Sequence, residues 1–310
     1  MKAIGYVSAL ALVLAACSNG EEANSSSPDE TGGVNDAAAD TAETSGADGE
    51  NASADESASM ALANSIDHER RDENRARDEW RHPSETLAFF GLEPDMTIVE
   101  ILPGNGGWYT QILTPYTAEQ GRLIGVTYPD SLWTQMFPSW SEDNYERFGA
   151  DITQMGRYMS VEGVVSTQPI VGYTIDNIPD LENGEADAVL FFRALHHLFR
   201  FEEPMIDTAL AEVFDMLAPG GVVGVVQHRA PESADDAFAS GDNGYLKQSD
   251  VIAAFERAGF VLEASSEINA NPNDPVDGFV WRLPPTTTNN PDTLAIGESD
   301  RMTLRFRKPE

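Results

Sequence analysis

The chain has 310 residues, with 52 Asp plus Glu against 19 Lys plus Arg, a formal charge of −33. Nucleic acid is bound mainly through neutralised phosphates, so this balance excludes it as an expected partner; only Arg70 to Arg81, with five arginines, approaches a basic patch. Hydrophobic residues at 41% and aromatics at 9% exclude global disorder, and the single cysteine, Cys17, excludes an internal disulfide.

Lys2 precedes an apolar run from Ala3 to Leu14, which ends in Leu14-Ala15-Ala16-Cys17. Spanning a bilayer core takes roughly 20 residues, so a run of 12 suits the hydrophobic region of an export signal rather than a transmembrane helix. The stretch resembles bacterial lipoprotein signal peptides, a likeness that implies lipidation of Cys17 as the first residue of the mature chain. Ser18 in the next position then favours the outer membrane, which places the chain in the cell envelope on a lipid anchor. A start at Met60 would instead give a cytoplasmic protein.

Residues 18 to 59 carry eleven acidic residues, no Lys or Arg, and almost nothing apolar larger than alanine. Such a composition cannot bury enough surface to offset backbone ordering, so an acidic disordered tether is expected over residues 18–64 and one domain over residues 65–310.

Within that domain a charged, solvated helix is expected from Ile66 to Trp80, with Asp67–Arg71 and Glu73–Arg77 at the spacing that lets opposite charges meet. In that reading Arg75 or Arg81 could also reach an anionic ligand. Ser84 to Phe90 is a short helix stopped by Gly91, Met96 to Leu102 a strand, and a further helix begins near Trp108. Arg122–Thr127, Val161–Ser166, Asp187–Phe192, Val222–Gln227, Phe260–Ser265 and Met302–Phe306 read as strands. Helices are expected at Asn144–Met159, Pro204–Leu217 and after Ser249. Alternating strands and helices predict an α/β fold, a doubly wound, mostly parallel seven-stranded sheet with helices on both faces.

The stretch Ile98-Val-Glu-Ile-Leu-Pro-Gly-Asn-Gly-Gly-Trp-Tyr109 runs a strand into a glycine turn and then a helix, a device that brings backbone amides close to a ligand. A dinucleotide fingerprint would need a third glycine where Tyr109 stands. The acid at Glu100, four residues before Gly104, resembles motif I of class I S-adenosylmethionine-dependent methyltransferases. Asp187 to Leu198 and Met216 to Val226 resemble the fourth strand and the Pro-Gly-Gly turn with fifth strand of the same family. Gly297 to Phe306 resembles the ends of a group of bacterial predicted methyltransferases. The likeness covers roughly Pro83 to Pro309 and implies S-adenosylmethionine as cofactor, held by Glu100, Gly104, Asn105 and Gly106.

Two departures stand out. Leu102 occupies the place of a family glycine, which requires another path for the turn. At the end of the second strand Thr127 and Tyr128 replace the expected acid, so either Asp130 substitutes, or Thr127 does, or the ligand is a different one.

Methyl transfer from a sulfonium depends on alignment and exclusion of water, with a base only where the acceptor carries a proton. His197 is the candidate base, His196 and His228 are alternatives, and Arg193 would orient an anionic acceptor. No metal site is expected, because no His-Glu-x-x-His pattern exists. The insertion from Asn269 to Asp300 should wall the acceptor pocket, with Trp281 buried against the sheet. These readings describe a lipid-anchored enzyme methylating a small molecule. The alternative is a binding lipoprotein that keeps the fold without the reaction, and a nicotinamide oxidoreductase ranks last.

Overall fold

A computed structural model describes residues 47–104, 107–141, 144, 155–201 and 204–310. In chain order it places α1 (Ala47–Asp67), α2 (Pro83–Phe90), β1 (Thr97–Ile101), α3 (Thr110–Thr117), β2 (Arg122–Thr127), α4 (Asp130–Met136), β3 (Val171–Thr174) and β4 (Ala186–Phe192). There follow α5 (Leu195–Phe199), α6 (Ile206–Met216), β5 (Leu217–Ala230), β6 (Leu246–Lys247), α7 (Gln248–Arg257), β7 (Val261–Ser266) and β8 (Arg301–Arg307). The main sheet runs β3-β2-β1-β4-β5-β8-β7, and β6 pairs with β5. All pairings from β3 across to β5 are parallel, while β8 runs antiparallel to both β5 and β7. The strand order reverses between β1 and β4, with β2 and β3 to one side and β5 to the other, which fixes a topological switch point at their carboxyl ends.

A sheet covered on both faces needs strands that are apolar throughout rather than alternating. β4 meets that requirement, with Ala186 and Ala188 to Phe192 buried and only Asp187 exposed. Val99, Ile101, Val189 and Phe191 face a core shared with Leu210 and Val213 of α6 and with Val251 and Phe255 of α7. Ile98, Ala188 and Leu190 face the other side, where Leu62 and Ile66 of α1, Leu87 and Phe90 of α2, and Ile112 and Leu113 of α3 cover them. The expected doubly wound sheet with helices on both faces is therefore present.

Several expectations are corrected. Residues 47–64, read as tether, lie in helix α1, which packs on α2 and α3. Alanine is the best helix former, and Ala58, Leu62, Ser65 and Ile66 share one buried face at the i, i+4, i+7, i+8 spacing. The charged helix from Ile66 to Trp80 is broken into 3-10 turns at Glu69–Arg71 and Arg75–Arg77 and one helical turn at Asp78–Arg81. Its ion pairs are not the four-residue ones: Asp67 meets Arg75, Arg71 meets Asp78 and Arg77 meets Glu298. The third strand is Val171–Thr174, not Val161–Ser166. Val161 to Val164 close a turn through Gly163 at φ +78°, and Val165 is 89% exposed. Of the expected helix from Asn144 to Met159, Met155–Tyr158 is helical, and positions 145–154 fall outside the described residues.

If α1 belongs to the folded domain, Leu62→Ala should lower stability by about 2–3 kcal/mol in urea unfolding. A variant with unchanged midpoint would return these residues to the tether.

Candidate functional site

The carboxyl ends of β1 and β4 carry unusual backbone. Leu102, just past β1, has φ +57°, and Arg193, just past β4, has φ +60°. A side chain in the left-handed region costs roughly 1–2 kcal/mol, and such residues gather at functional sites. Leu102 thus adopts the conformation a glycine would take there, so the turn keeps its path at the cost of strain. Its amide donates to Val126 O at 2.6 Å, and the Arg193 amide donates to Val226 O at 2.7 Å, which pins both turns to the sheet. Gly104, at φ +68°, has nothing among the described residues within 4 Å of where a Cβ would stand. Gly107 is the reverse, since a Cβ there would lie 2.0 Å from Pro103 O. Asn105 and Gly106 lie outside the described residues.

Glu100 is buried on β1 and accepts a hydrogen bond from Thr110 Oγ1 at 2.7 Å. Burial raises its pKa to about 7, a shift that the Thr110 hydroxyl only partly opposes. At the end of β2, Thr127 is fully buried, and its hydroxyl has no hydrogen-bond partner among the described residues. Asp130 opens α4 and is exposed. The phenol of Tyr128, also fully buried, donates to Ala194 O at 2.5 Å. Because β1 lies between β2 and β4, that bond passes over the end of β1. The Trp133 ring lies tilted against Tyr128 with centroids 5.6 Å apart, and its indole N–H has no partner among the described residues.

On the β4 side a group of arginines converges on one carboxylate. Glu298 receives Arg77 Nε at 2.7 Å, Arg81 Nε at 3.2 and 3.3 Å, and Arg301 Nη1 at 2.9 Å. Arg193 stands within electrostatic reach of the same carboxylate. Burial by itself would raise the Glu298 pKa, but Arg81, Arg301, Arg193 and Arg77 outweigh it and hold the carboxyl at about 2. Burial and the neighbouring arginines push Arg81 well below the guanidinium range, and burial brings Arg193 to about 10. Trp108 lies under both Arg71 and Arg81, 4.7 and 4.8 Å from their guanidinium carbons. Tyr109 stacks flat on Phe192 at 3.5 Å, which joins this wall to the end of β4.

The three candidate histidines sit together at the ends of β4 and β5. The rings of His196 and His197 are 3.9 Å apart, and those of His196 and His228 are 5.5 Å apart. His228 Nδ1 meets Ser299 Oγ at 2.5 Å, and Gln227 Nε2 lies 3.3 Å from His196 Nδ1 while donating to Gly244 O. His197 Nδ1 has no partner among the described residues. Burial lowers the pKa of His196 to about 3 and carries His197 and His228 well below the usual range. All three rings are neutral at physiological pH.

The fold thus gathers Glu100, Gly104, Arg193 and His197 around the switch point and leaves Asp130 at the surface. Sequence reasoning missed Thr110, Gly107, Ser299 and the joint role of Arg81, Arg301 and Glu298. The available signal for the last group was a glutamate in a long insertion and five arginines within a single stretch. Trp281, expected against the sheet, is 39% exposed and stacked on the similarly exposed Phe279, because the insertion turns Glu298 and Ser299 inward instead.

No protein-family model matches the chain, and no curated protein matches it. Solved structures do resemble it. One is an S-adenosylmethionine-dependent methyltransferase of Aquifex aeolicus, at 14% identity and TM-score 0.42 over 75% of this chain and 92% of that one. Another is the 1,6-didemethyltoxoflavin-N1-methyltransferase of Burkholderia thailandensis bound to 1,6-didemethyltoxoflavin and S-adenosylhomocysteine, at 14% identity and TM-score 0.42 over 87% and 94%. A third is the 4+2 cyclase SpnF, at 15% identity and TM-score 0.45 over 74% and 82%. Likeness at this distance says nothing of the reaction, which has to be argued from the site.

Removing the carboxylate of Glu298 would leave buried guanidiniums uncompensated. Glu298→Gln should therefore cost about 3–5 kcal/mol at pH 7 in denaturant unfolding. With a folded pKa of about 2 against 4.5 for an unperturbed carboxyl, the ionised form stabilises fully above pH 4.5, and this contribution is lost as pH falls toward 2. The gap between wild type and variant should close across that window. A gap independent of pH would contradict the assigned ion pairs.

Proposed function

We propose that this protein transfers a methyl group from S-adenosylmethionine to a small-molecule acceptor, at the switch point between β1 and β4. The observation that carries the reading is a buried carboxylate on β1 set behind a turn that takes left-handed backbone at Leu102 and Gly104, at the place where an α/β sheet of this order holds ligands. The residues suit the cofactor. Glu100 would face its cationic methionine end, Gly104 with Asn105 and Gly106 would hold it at the turn, and the Thr127 hydroxyl, without a partner among the described residues, would take the ribose hydroxyls in place of the exposed Asp130. S-adenosylmethionine, when bound, would supply an electrophilic methyl whose bond to the acceptor lone pair forms as its bond to sulfur breaks, the electrons of that bond staying on the thioether of the leaving S-adenosylhomocysteine.

Arg193, partly buried at the end of β4, orients the acceptor. His197 presents an Nδ1 with no partner among the described residues, on a ring that burial keeps neutral. A histidine this reluctant to charge is a hydrogen-bond acceptor rather than a strong base, so the acceptor that suits it presents a lone pair free of a proton. Anchoring at the envelope through Cys17 belongs to the same proposal. Mass spectrometry of the mature protein should find a diacylglyceryl-modified Cys17 at the N-terminus, and an unmodified Met60 or Ala61 there would remove the anchor.

A second reading, a binding lipoprotein without the reaction, draws on Tyr128, whose phenol bridges to Ala194 across the end of β1. Calorimetry separates the two. Glu100 with a pKa near 7 is half protonated at neutral pH, and a cation beside it favours the ionised form. S-adenosylmethionine should therefore bind more tightly at pH 8 than at pH 6, by about tenfold, and Glu100→Gln should lose both the affinity and its pH dependence. No heat at millimolar cofactor would favour the binding lipoprotein.

A further inference from the structure

We propose that Arg77, Arg81, Arg193 and Arg301 form a binding site for a multiply charged oxyanion, a phosphate or a pair of carboxylates carried on one small molecule. The charge count is the first argument. Arg77, Arg81 and Arg301 bond Glu298 and Arg193 stands within electrostatic reach of it, so four guanidiniums share one carboxylate, which leaves 4 − 1 = +3. Arg81 and Arg301 are only 1% and 2% exposed, so water does little to offset their charge. The neighbouring carboxylates are occupied elsewhere. Asp78 is held by Arg71, and Asp300 by Arg229 and the Asn271 amide.

Hydrogen-bonding capacity is the second argument. Each of the four arginines keeps one buried nitrogen without a partner among the described residues: Arg77 Nη2, Arg81 Nη2, Arg193 Nε and Arg301 Nε. Buried donors are normally satisfied, and an oxyanion accepts several from a planar guanidinium. Trp108 and Tyr109 hold Arg81 from the side, at 4.8 and 5.9 Å, which fixes its plane before any ligand arrives. The neutral His196 and His228 stand within electrostatic reach of Arg193 without contributing a competing charge. Calling this anion the acceptor rests on the methyl-transfer reading; the site itself does not.

The test uses the full chain with inorganic phosphate and with citrate, against sodium chloride at equal ionic strength. Either anion at 10 mM should raise the thermal midpoint by on the order of 3 °C and give a saturable calorimetric isotherm. Arg193→Gln, at the least buried position of the four apart from Arg77, should weaken binding at least tenfold. Arg257→Gln, on the exposed surface of α7, should leave it unchanged. No midpoint shift beyond that of chloride, or equal weakening in both variants, would overturn the site. Titrating S-adenosylmethionine in the same series separates the two proposals. Cofactor binding without an anion response defeats this inference alone, whereas an anion response without cofactor binding keeps the site and removes only its description as an acceptor pocket.

Discussion

One buried carboxylate organises this molecule around its candidate site. Glu298 arrives from the insertion before β8 and is met by arginines from two other parts of the chain, Arg77 and Arg81 ahead of α2 and Arg301 at the start of β8. A carboxylate this deep in the protein stays ionised only because several guanidiniums surround it, and they remain charged partly because it is there. The mutual dependence ties the segment following α1 to the far end of the sheet. It also explains why the arginine-rich stretch folds inward instead of forming a solvated helix. Arg71 repeats the device, clamping Asp78 while its Nη1 donates to Ile66 O at 2.6 Å near the end of α1.

The same arrangement gives the site two electrostatic halves. Toward β1 there is a carboxylate poised near neutral pH, and toward β4 an excess of guanidinium charge. A cationic sulfonium cofactor and an anionic acceptor would each find a complementary side, which is the condition for holding two reactants in line without a nucleophile from the protein. The proposed chemistry therefore asks little of the histidines, in keeping with their uncharged, buried state. It asks more of the backbone, where Leu102 and Arg193 both hold left-handed turns that most side chains avoid.

The sheet was readable because strands buried on both faces must be largely apolar, a mark that β1, β2, β4 and the inner part of β5 carry, whereas β7, exposed or half-buried along its length, and the arginine-bearing β8 do not. The third strand was misplaced because paired valines at Val164 and Val165 look like a strand, although Gly163 turns the chain there. Helix α1 was missed for the opposite reason: alanine and acidic residues satisfy both tether and helix, and only long-range packing by Leu62 and Ile66 distinguishes them. At the site, the glycine turn and Glu100 could be read from local pattern alone. The arginine cluster could not, since its members are separated by up to 224 positions and meet only through the fold. Trp281 shows the converse error, for a large aromatic in an insertion need not be the residue that turns inward.

A crystal structure of the protein grown with S-adenosylhomocysteine tests the central placement most directly. The nucleoside should lie at the carboxyl ends of β1 and β2, in contact with Glu100, the turn after Pro103 and Thr127, with the arginines around Glu298 on its acceptor side. A structure in which that region stays closed, with Tyr128 still bonded to Ala194 and the nucleoside bound elsewhere, would contradict it.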